Sequence, residues 1–264
     1  MINIEKKSKI TEPTPEADKE YEILARISLV EKDIAEFRDS PEFKLLKPLD
    51  VYFEQEKNLI EAMATLVLRL ESKLIEYDTV IGDDVSGRLM AMFLRRVIKN
   101  LKVDKKSPNT FFVAAGRLKS DASKSKIENF FETKKESLGK VLLVTEYISS
   151  GKGINLLLEI IENVGIDFDL SALSICYNLD YYQQEFPLIS KRLFYGCIGQ
   201  TGFYFYNRKY LTGVKKDADK EHSIRDTEPH TYATDSLQQD RKDIRKCLNS
   251  LADFICEKIL KKEN

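Results

Sequence analysis

A turn of small residues between an apolar strand and an apolar helix is the part of this sequence best suited to chemistry. The four apolar residues from Val141 to Val144 are typical of a strand buried on both faces of a parallel sheet. Residues 149–153 are small or polar, and a helical apolar pattern begins at Ile154. Backbone N–H groups at the start of a helix can surround an anion. The segment therefore predicts a site for a ribose phosphate or a nucleotide.

Two common nucleotide-binding motifs do not fit this turn. A Walker A loop has a glycine five residues before its Gly-Lys pair and a Ser or Thr after the lysine. Here Glu146 stands five residues before Gly151, and Gly153 follows Lys152. The GxGxxG pattern of dinucleotide-binding folds is also absent. An ordinary strand-to-helix connection stays open as the alternative, because Gly and Ser are common in turns.

The segment resembles the binding motif for phosphoribosyl pyrophosphate (PRPP) in the type I phosphoribosyltransferase family. That motif has an apolar strand, two acidic residues and a Ser/Thr-Gly-rich turn that opens a helix. The resemblance implies that Thr145 and Glu146 take the acidic positions, which hold the ribose hydroxyls, with Glu146 as a catalytic residue. It also implies a turn that binds the 5′-phosphate, formed by Ser149, Ser150, Gly151, Lys152 and Gly153.

Thr145 departs from the family pattern, because it stands where the family has its first acid. A single carboxylate weakens contacts to ribose or magnesium, and binding tolerates this loss better than catalysis does. Two functions therefore stay open. One is the transfer of a phosphoribosyl group from PRPP to a nitrogenous base with release of pyrophosphate. The other is a non-catalytic module that keeps the pocket to sense a nucleotide or to organise a partner.

The family also has an earlier strand and loop that meet the pyrophosphate of PRPP, and a similar pattern begins here at Val80. The resemblance implies that Ser86, Gly87 and Arg88 face the pyrophosphate at the start of a helix. Two aspartates beside a pyrophosphate require a cation, so Asp83 and Asp84 are candidate ligands of Mg²⁺. The alternative role for these aspartates is to cap the helix.

Residues 116–139 are rich in lysine and serine, and they occupy the position of the family's flexible catalytic loop. The resemblance implies that basic side chains of this loop reach phosphate oxygens when it closes. Arg117, which follows a strand end, is the best candidate for a catalytic role, and Lys119, Lys124 and Lys126 are further ones. For each lysine, a solvated charged surface is the simpler interpretation.

The order of patterns predicts an α/β fold with a mainly parallel sheet, flanking helices and helical extensions at both ends. Residues 1–76 form a helical N-terminal extension, 77–215 a phosphoribosyltransferase-like domain, and 216–264 a polar segment and a C-terminal helix. The extension has helices over about 16–37 and from near 50 to 74, with a short one near residue 41. Strands are expected near residues 80–81, 110–115, 141–144, 173–177, 193–198 and 203–206. Ser236 and Gln239 fit a capping box for the last helix.

Composition narrows the classes of partner. The net charge of -1 argues against a nucleic-acid-binding protein, and four cysteines without a CxxC pair argue against a zinc site. The sequence has no run of about 18 apolar residues, and its first residues lack an apolar signal core, so we expect no membrane contact and a cytoplasmic location.

The apolar stripe from Leu59 to Leu74 could pair with a second copy in a homodimer. Among the aromatic residues of 177–210, one could stack on a nucleobase, although most suit sheet packing.

Overall fold

A five-stranded parallel sheet forms the centre of the protein. The computed structural model describes residues 15–41, 56–113, 121–199, 214–215, 224–225 and 234–260. The sheet order is β2-β1-β3-β4-β5, and every pairing in it is parallel. The strands are β1 Thr79–Asp83, β2 Asn109–Val113, β3 Val141–Ile148, β4 Phe168–Ile175 and β5 Leu193–Ile198. The predicted α/β class with a parallel sheet is confirmed.

Helices precede, connect and follow these strands. The N-terminal region has α1 Pro15–Leu29, α2 Glu31–Arg38 and α3 Glu56–Leu70, and the 3-10 helix Glu71–Glu76 leads into β1. The sheet strands are connected by α4 Asp84–Leu101, α5 Asp121–Leu138, α6 Lys152–Val164 and the short pair α7 Leu179–Glu185 and α8 Pro187–Arg192. The last helix is α9 Thr234–Ile255, which continues as a π-helical turn over Cys256–Leu260. The two-residue strands β6 Val214–Lys215 and β7 Ile224–Arg225 form a separate antiparallel pair.

The sheet separates two apolar cores, because successive strand residues point to opposite faces. On β1 and β3, Val80 and Leu142 belong to the core formed with α1 to α4 and α9. Their neighbours Ile81 and Leu143 belong to the core formed with α5 to α8. Helices from both predicted extensions thus complete the first core. The helix stripe from Leu59 to Leu74 is buried in that core, and pairing of the N-terminal helices with a second copy stays a prediction.

Several predicted boundaries differ from the observed ones. Residues 121–138 are the helix α5, so the prediction of a flexible loop over 116–139 is wrong for that part. The single helix expected over 16–37 is interrupted at Val30. The last helix begins at Thr234, two residues before the predicted cap at Ser236. The strand expected at 203–206, the helix start near residue 50 and most of the short helix near residue 41 lie outside the described residues.

A helix that crosses a membrane must be both long and apolar, and the described helices lack this combination.

Candidate functional site

The predicted phosphate turn and the predicted pyrophosphate loop follow two neighbouring strands at the same end of the sheet. β1 and β3 are neighbours, with Gly82 beside Val144. From β1 the chain continues through α4 to β2 on one side, and from β3 it continues through α6 to β4 on the other. In open α/β sheets, ligands bind in the crevice beyond the carboxyl ends of two neighbouring strands whose connections lead in opposite directions along the sheet. The structure therefore brings both predicted segments to one switch point.

Gly151 sets the shape of the turn that opens α6. Its φ of 85° and ψ of -17° place it in the left-handed region, where other residues are strained. A Cβ atom at this position would lie 3.0 Å from side-chain atoms of both Phe186 and Ile189. Gly151 is buried by these neighbours, whereas Ser149, Lys152 and Gly153 are exposed. The turn is thus packed on its inner side and open on its outer side.

Two tyrosines of α7 hold the backbone of this turn through its carbonyl groups. The hydroxyl of Tyr182 lies 2.9 Å from the carbonyl oxygen of Ile148 and 2.7 Å from that of Ser149. The hydroxyl of Tyr181 donates to the carbonyl oxygen of Ser150 at 3.4 Å. Burial raises the pKa of Tyr182 to about 12, so its hydroxyl keeps its proton at neutral pH. Three successive carbonyl groups therefore point toward α7.

The N–H groups of Ser149, Ser150 and Gly151 consequently point the other way. In a trans peptide, the C=O of one residue and the N–H of the next are antiparallel, and no described peptide bond is cis. In the part of the chain that the structure describes, no backbone N–H from Ser149 to Gly153 donates a hydrogen bond. The first turn of α6 carries no acidic residue. The turn presents donors and the positive end of a helix dipole, which suits an anion.

The two residues at the predicted acidic positions lie inside β3 and are covered. Thr145 is 2% exposed, and its hydroxyl lies 3.4 Å from a carboxylate oxygen of Asp83. Glu146 is 0% exposed. Adjacent strand residues point to opposite faces of the sheet, so Thr145 and Glu146 do not form a pair. In the described conformation, neither side chain reaches a ligand bound at the surface of the turn.

The start of α4 approaches the sheet closely at Gly87. A Cβ atom there would lie 2.1 Å from the carbonyl oxygen of Val144. The guanidinium of Arg88 lies 3.7 Å from the centre of the Phe112 ring, which is a cation–π contact on β2. The side chains of Asp84 and Ser86 lie outside the described residues. Gly87 thus fixes the position of the helix, and Arg88 is directed toward the β2 side of the crevice.

Asp83 is the carboxylate best placed for a cation at this edge. It is half-buried at the end of β1, and its side chain makes no capping hydrogen bond to α4. Within the described ranges, no group of three His, Cys, Asp or Glu side chains could enclose a metal ion. Mg²⁺ is commonly held by one or two carboxylates together with phosphate oxygens of a substrate. Asp83 fits that role, whereas an all-protein site does not.

The predicted catalytic loop contributes little to the described site. Arg117 and Lys119 lie outside the described residues, and Lys124 and Lys126 lie on α5. The amine of Lys124 is 3.9 Å from a carboxylate oxygen of Asp121 one turn earlier. For these two lysines, the surface interpretation therefore agrees better with the structure than a mobile loop does.

An aromatic cluster lies beside the turn, where the sequence predicted only that one aromatic residue of 177–210 could stack on a nucleobase. The rings of Tyr177 and Tyr181 lie 4.2 Å apart, and Tyr182 and Phe186 extend the cluster. Tyr177 is 44% exposed. The sequence signal was available, because Asn178 caps α7 by accepting a hydrogen bond from the N–H of Tyr181, and Pro187 opens α8. These caps mark helices, not sheet strands, around the aromatic residues.

No family model, curated protein or solved structure matches this chain. What the site binds must then follow from its own geometry.

Replacing Tyr182 with phenylalanine should lower the free energy of unfolding by about 1–3 kcal/mol. The change removes one hydroxyl and leaves the carbonyl groups of Ile148 and Ser149 with fewer partners. Urea unfolding of Tyr182→Phe measures this loss. Tyr181→Phe is the matched control, because its longer hydrogen bond predicts a smaller effect. Equal stability of wild type and Tyr182→Phe would contradict the bracing role.

Proposed function

We propose that this protein binds a ribose 5-phosphate compound, PRPP or a nucleotide, at the turn from Ser149 to Gly153. The observation that carries this proposal is the set of backbone N–H groups that point away from the tyrosine-braced carbonyl groups. A phosphate monoester is a compact dianion with three acceptor oxygens, which can accept hydrogen bonds from several of these N–H groups. Each hydrogen bond to a charged group contributes about 1.5–3 kcal/mol.

Side chains near the turn favour a phosphorylated ribose with a base over a bare phosphate. Lys152 is exposed at the start of α6 and adds a positive charge to the donors. The exposed ring of Tyr177 packs at a tilt against Tyr181, whose hydroxyl touches the turn at Ser150. An aromatic ring at the edge of a phosphate site is suited to stack on a nucleobase. Nucleotides should therefore bind more tightly than ribose 5-phosphate.

Transfer of a phosphoribosyl group is the catalytic form of this proposal. A base nitrogen would form a bond to the ribose C1, the bond from C1 to the pyrophosphate oxygen would break, and the base would lose its proton to solvent. The start of α4 lies beside Val144 of β3 and would face the departing pyrophosphate, with Asp83 as a ligand for Mg²⁺. The protein would act by positioning and by charge stabilisation.

The burial of Thr145 and Glu146 favours the second form, a module that binds the same ligand without turnover. A transferase of the resembling family would need a carboxylate at the ribose hydroxyls. In this structure, the acidic position is covered, and its neighbour is a threonine. The phosphate turn does not depend on either side chain, so binding can persist where catalysis does not.

Isothermal titration with ribose 5-phosphate, nucleoside monophosphates and PRPP, with and without Mg²⁺, tests the proposal. We expect saturable binding that weakens at least about tenfold in Lys152→Glu, because a negative charge then opposes both the helix dipole and the phosphate. Lys134→Glu on α5 is the matched control, since it makes the same charge change at an exposed site and should leave binding unchanged. Absence of binding to every ligand, or equal weakening in both variants, would reject the site.

Pyrophosphate release with a panel of bases separates the two forms. Turnover with any base, abolished in Glu146→Gln, supports the transferase. Binding of PRPP without pyrophosphate release supports the sensing module.

A further inference from the structure

A cavity between α4 and α9 is lined almost entirely by basic and polar side chains. Its volume is about 270 Å³. It lies on the α4 and α9 side of the sheet, and Lys99 is twelve residues along α4 from Gly87, which corresponds to about 18 Å at the rise of an α-helix. The cavity is therefore separate from the phosphate turn. The lining side chains that can contact an anion are Arg95, Arg96, Lys99, Ser107, Arg245 and Asn249.

Helical spacing directs these side chains toward one another. Arg95 and Lys99 are four residues apart on α4, and Arg245 and Asn249 are four residues apart on α9, so each pair shares one face of its helix. Ser107 closes the end of the cavity from the connection between α4 and β2. The two helices pack together through apolar residues of a common core. The basic side chains thus line the same cavity from two packed helices.

The carboxylate of Asp253 does not neutralise this cluster. Asp253 accepts hydrogen bonds from Arg96 at 2.8 and 2.9 Å and from the amide of Asn100 at 2.6 Å. Burial acts to raise the pKa of Asp253, but these hydrogen bonds outweigh burial and lower it below its usual value. Asp253 therefore stays ionised and committed to Arg96. Among the described residues, Arg95, Lys99 and Arg245 have no ion-pair partner.

We propose that this cavity binds a small polyphosphate anion, such as pyrophosphate, tripolyphosphate or the phosphate chain of a nucleotide, which bridges α4 and α9. Three cations without carboxylate partners repel one another, and a multiply charged anion relieves that repulsion. Arginine presents a planar pair of donors that matches phosphate oxygens, and Ser107 and Asn249 add neutral donors. The volume suits one small ligand and not a long stretch of polymer.

Titration with sodium tripolyphosphate at about 0.15 M ionic strength tests this site, because distant surface charges are screened there. The titration uses the Lys152→Glu protein, in which binding of phosphate at the turn from Ser149 to Gly153 is expected to be weak. We expect saturable binding of one ligand per chain. Adding Lys99→Gln and Arg245→Gln should weaken it at least about tenfold, since each lost side chain removes a charge-assisted contact.

Lys32→Gln with Lys134→Gln in the same background is the matched control, because both lysines are exposed and the change in net charge is identical. This control should bind as tightly as its parent, and the thermal midpoints of all variants without ligand should agree. No binding, equal weakening in control and test variants, or tighter binding of a single-stranded oligonucleotide through Lys99 and Arg245 would overturn the proposal. Every variant in this series carries Lys152→Glu, so binding at the phosphate turn is weakened equally in all of them. The comparison therefore reports on the cavity, whether or not the proposed function of the turn is correct.

Discussion

Replacing Gly87 with alanine should lower the free energy of unfolding by about 3 kcal/mol. The new methyl group would lie 2.1 Å from the carbonyl oxygen of Val144 and 3.1 Å from backbone atoms of Gly82. These are backbone atoms of central strands, which cannot rotate away as a flexible side chain can. The helix α4 must then shift from the sheet, and overpacking of this kind costs about 1–3 kcal/mol or occasionally more.

Gly153→Ala is the control for this prediction, since no atom lies within 4 Å of the added Cβ. Alanine is favoured over glycine in helices by about 1 kcal/mol, so this variant should be as stable as wild type or more stable. Urea unfolding followed by circular dichroism measures both changes. If Gly87→Ala and Gly153→Ala have the same midpoint, the close packing of α4 on β1 and β3 is refuted.

Replacing Phe131 with alanine should lower the free energy of unfolding by about 3–5 kcal/mol. Phe131 lies on α5, is 0% exposed and packs edge-to-face with Phe130 at 5.2 Å between ring centres. Truncation of a buried phenylalanine loses its burial and leaves a cavity. The experiment also distinguishes a packed helix from a flexible loop at residues 121–138. If these residues formed a mobile loop over a ligand, truncation of Phe131 would change the stability of the protein very little.

Lys134→Ala on the same helix is the matched control, because this side chain is exposed and its removal should change stability by no more than about 0.5 kcal/mol. Denaturant unfolding of both variants, with and without PRPP, gives the comparison. A small effect of Phe131→Ala that grows only when PRPP is bound would restore the flexible-loop interpretation.

The sheet was predictable from sequence because its central strands are buried on both faces. Such strands appear as short apolar runs, and the run at Val141 is the clearest one. The end of α6 was predictable as well, because Gly165 adopts the left-handed conformation with a φ of 75° that glycine provides at helix ends. Both features depend on local chemistry alone.

Other features depend on contacts between distant segments. Three buried residues anchor α5, namely Ile127, Phe131 and Leu138, and they are widely spaced among charged residues, so the helix resembles a polar loop in sequence. The burial of Glu146 follows from the length of β3, which continues to Ile148 beside β4 and does not end at Val144. The tyrosine brace requires α7 to lie against the turn. None of these contacts is encoded in a short motif.

Because the C=O and N–H groups of the turn from Ser149 to Gly153 are antiparallel, different groups would control the association rate and the dissociation rate of a ligand. The donors belong to the backbone and are held in place by Tyr182, so in the proposed site their contacts would govern how long a phosphate stays bound. Lys152 is exposed beside them and would act through its long-range field, which would govern how often a phosphate arrives. Added salt should therefore slow association at this turn and leave the residence time of the ligand nearly constant.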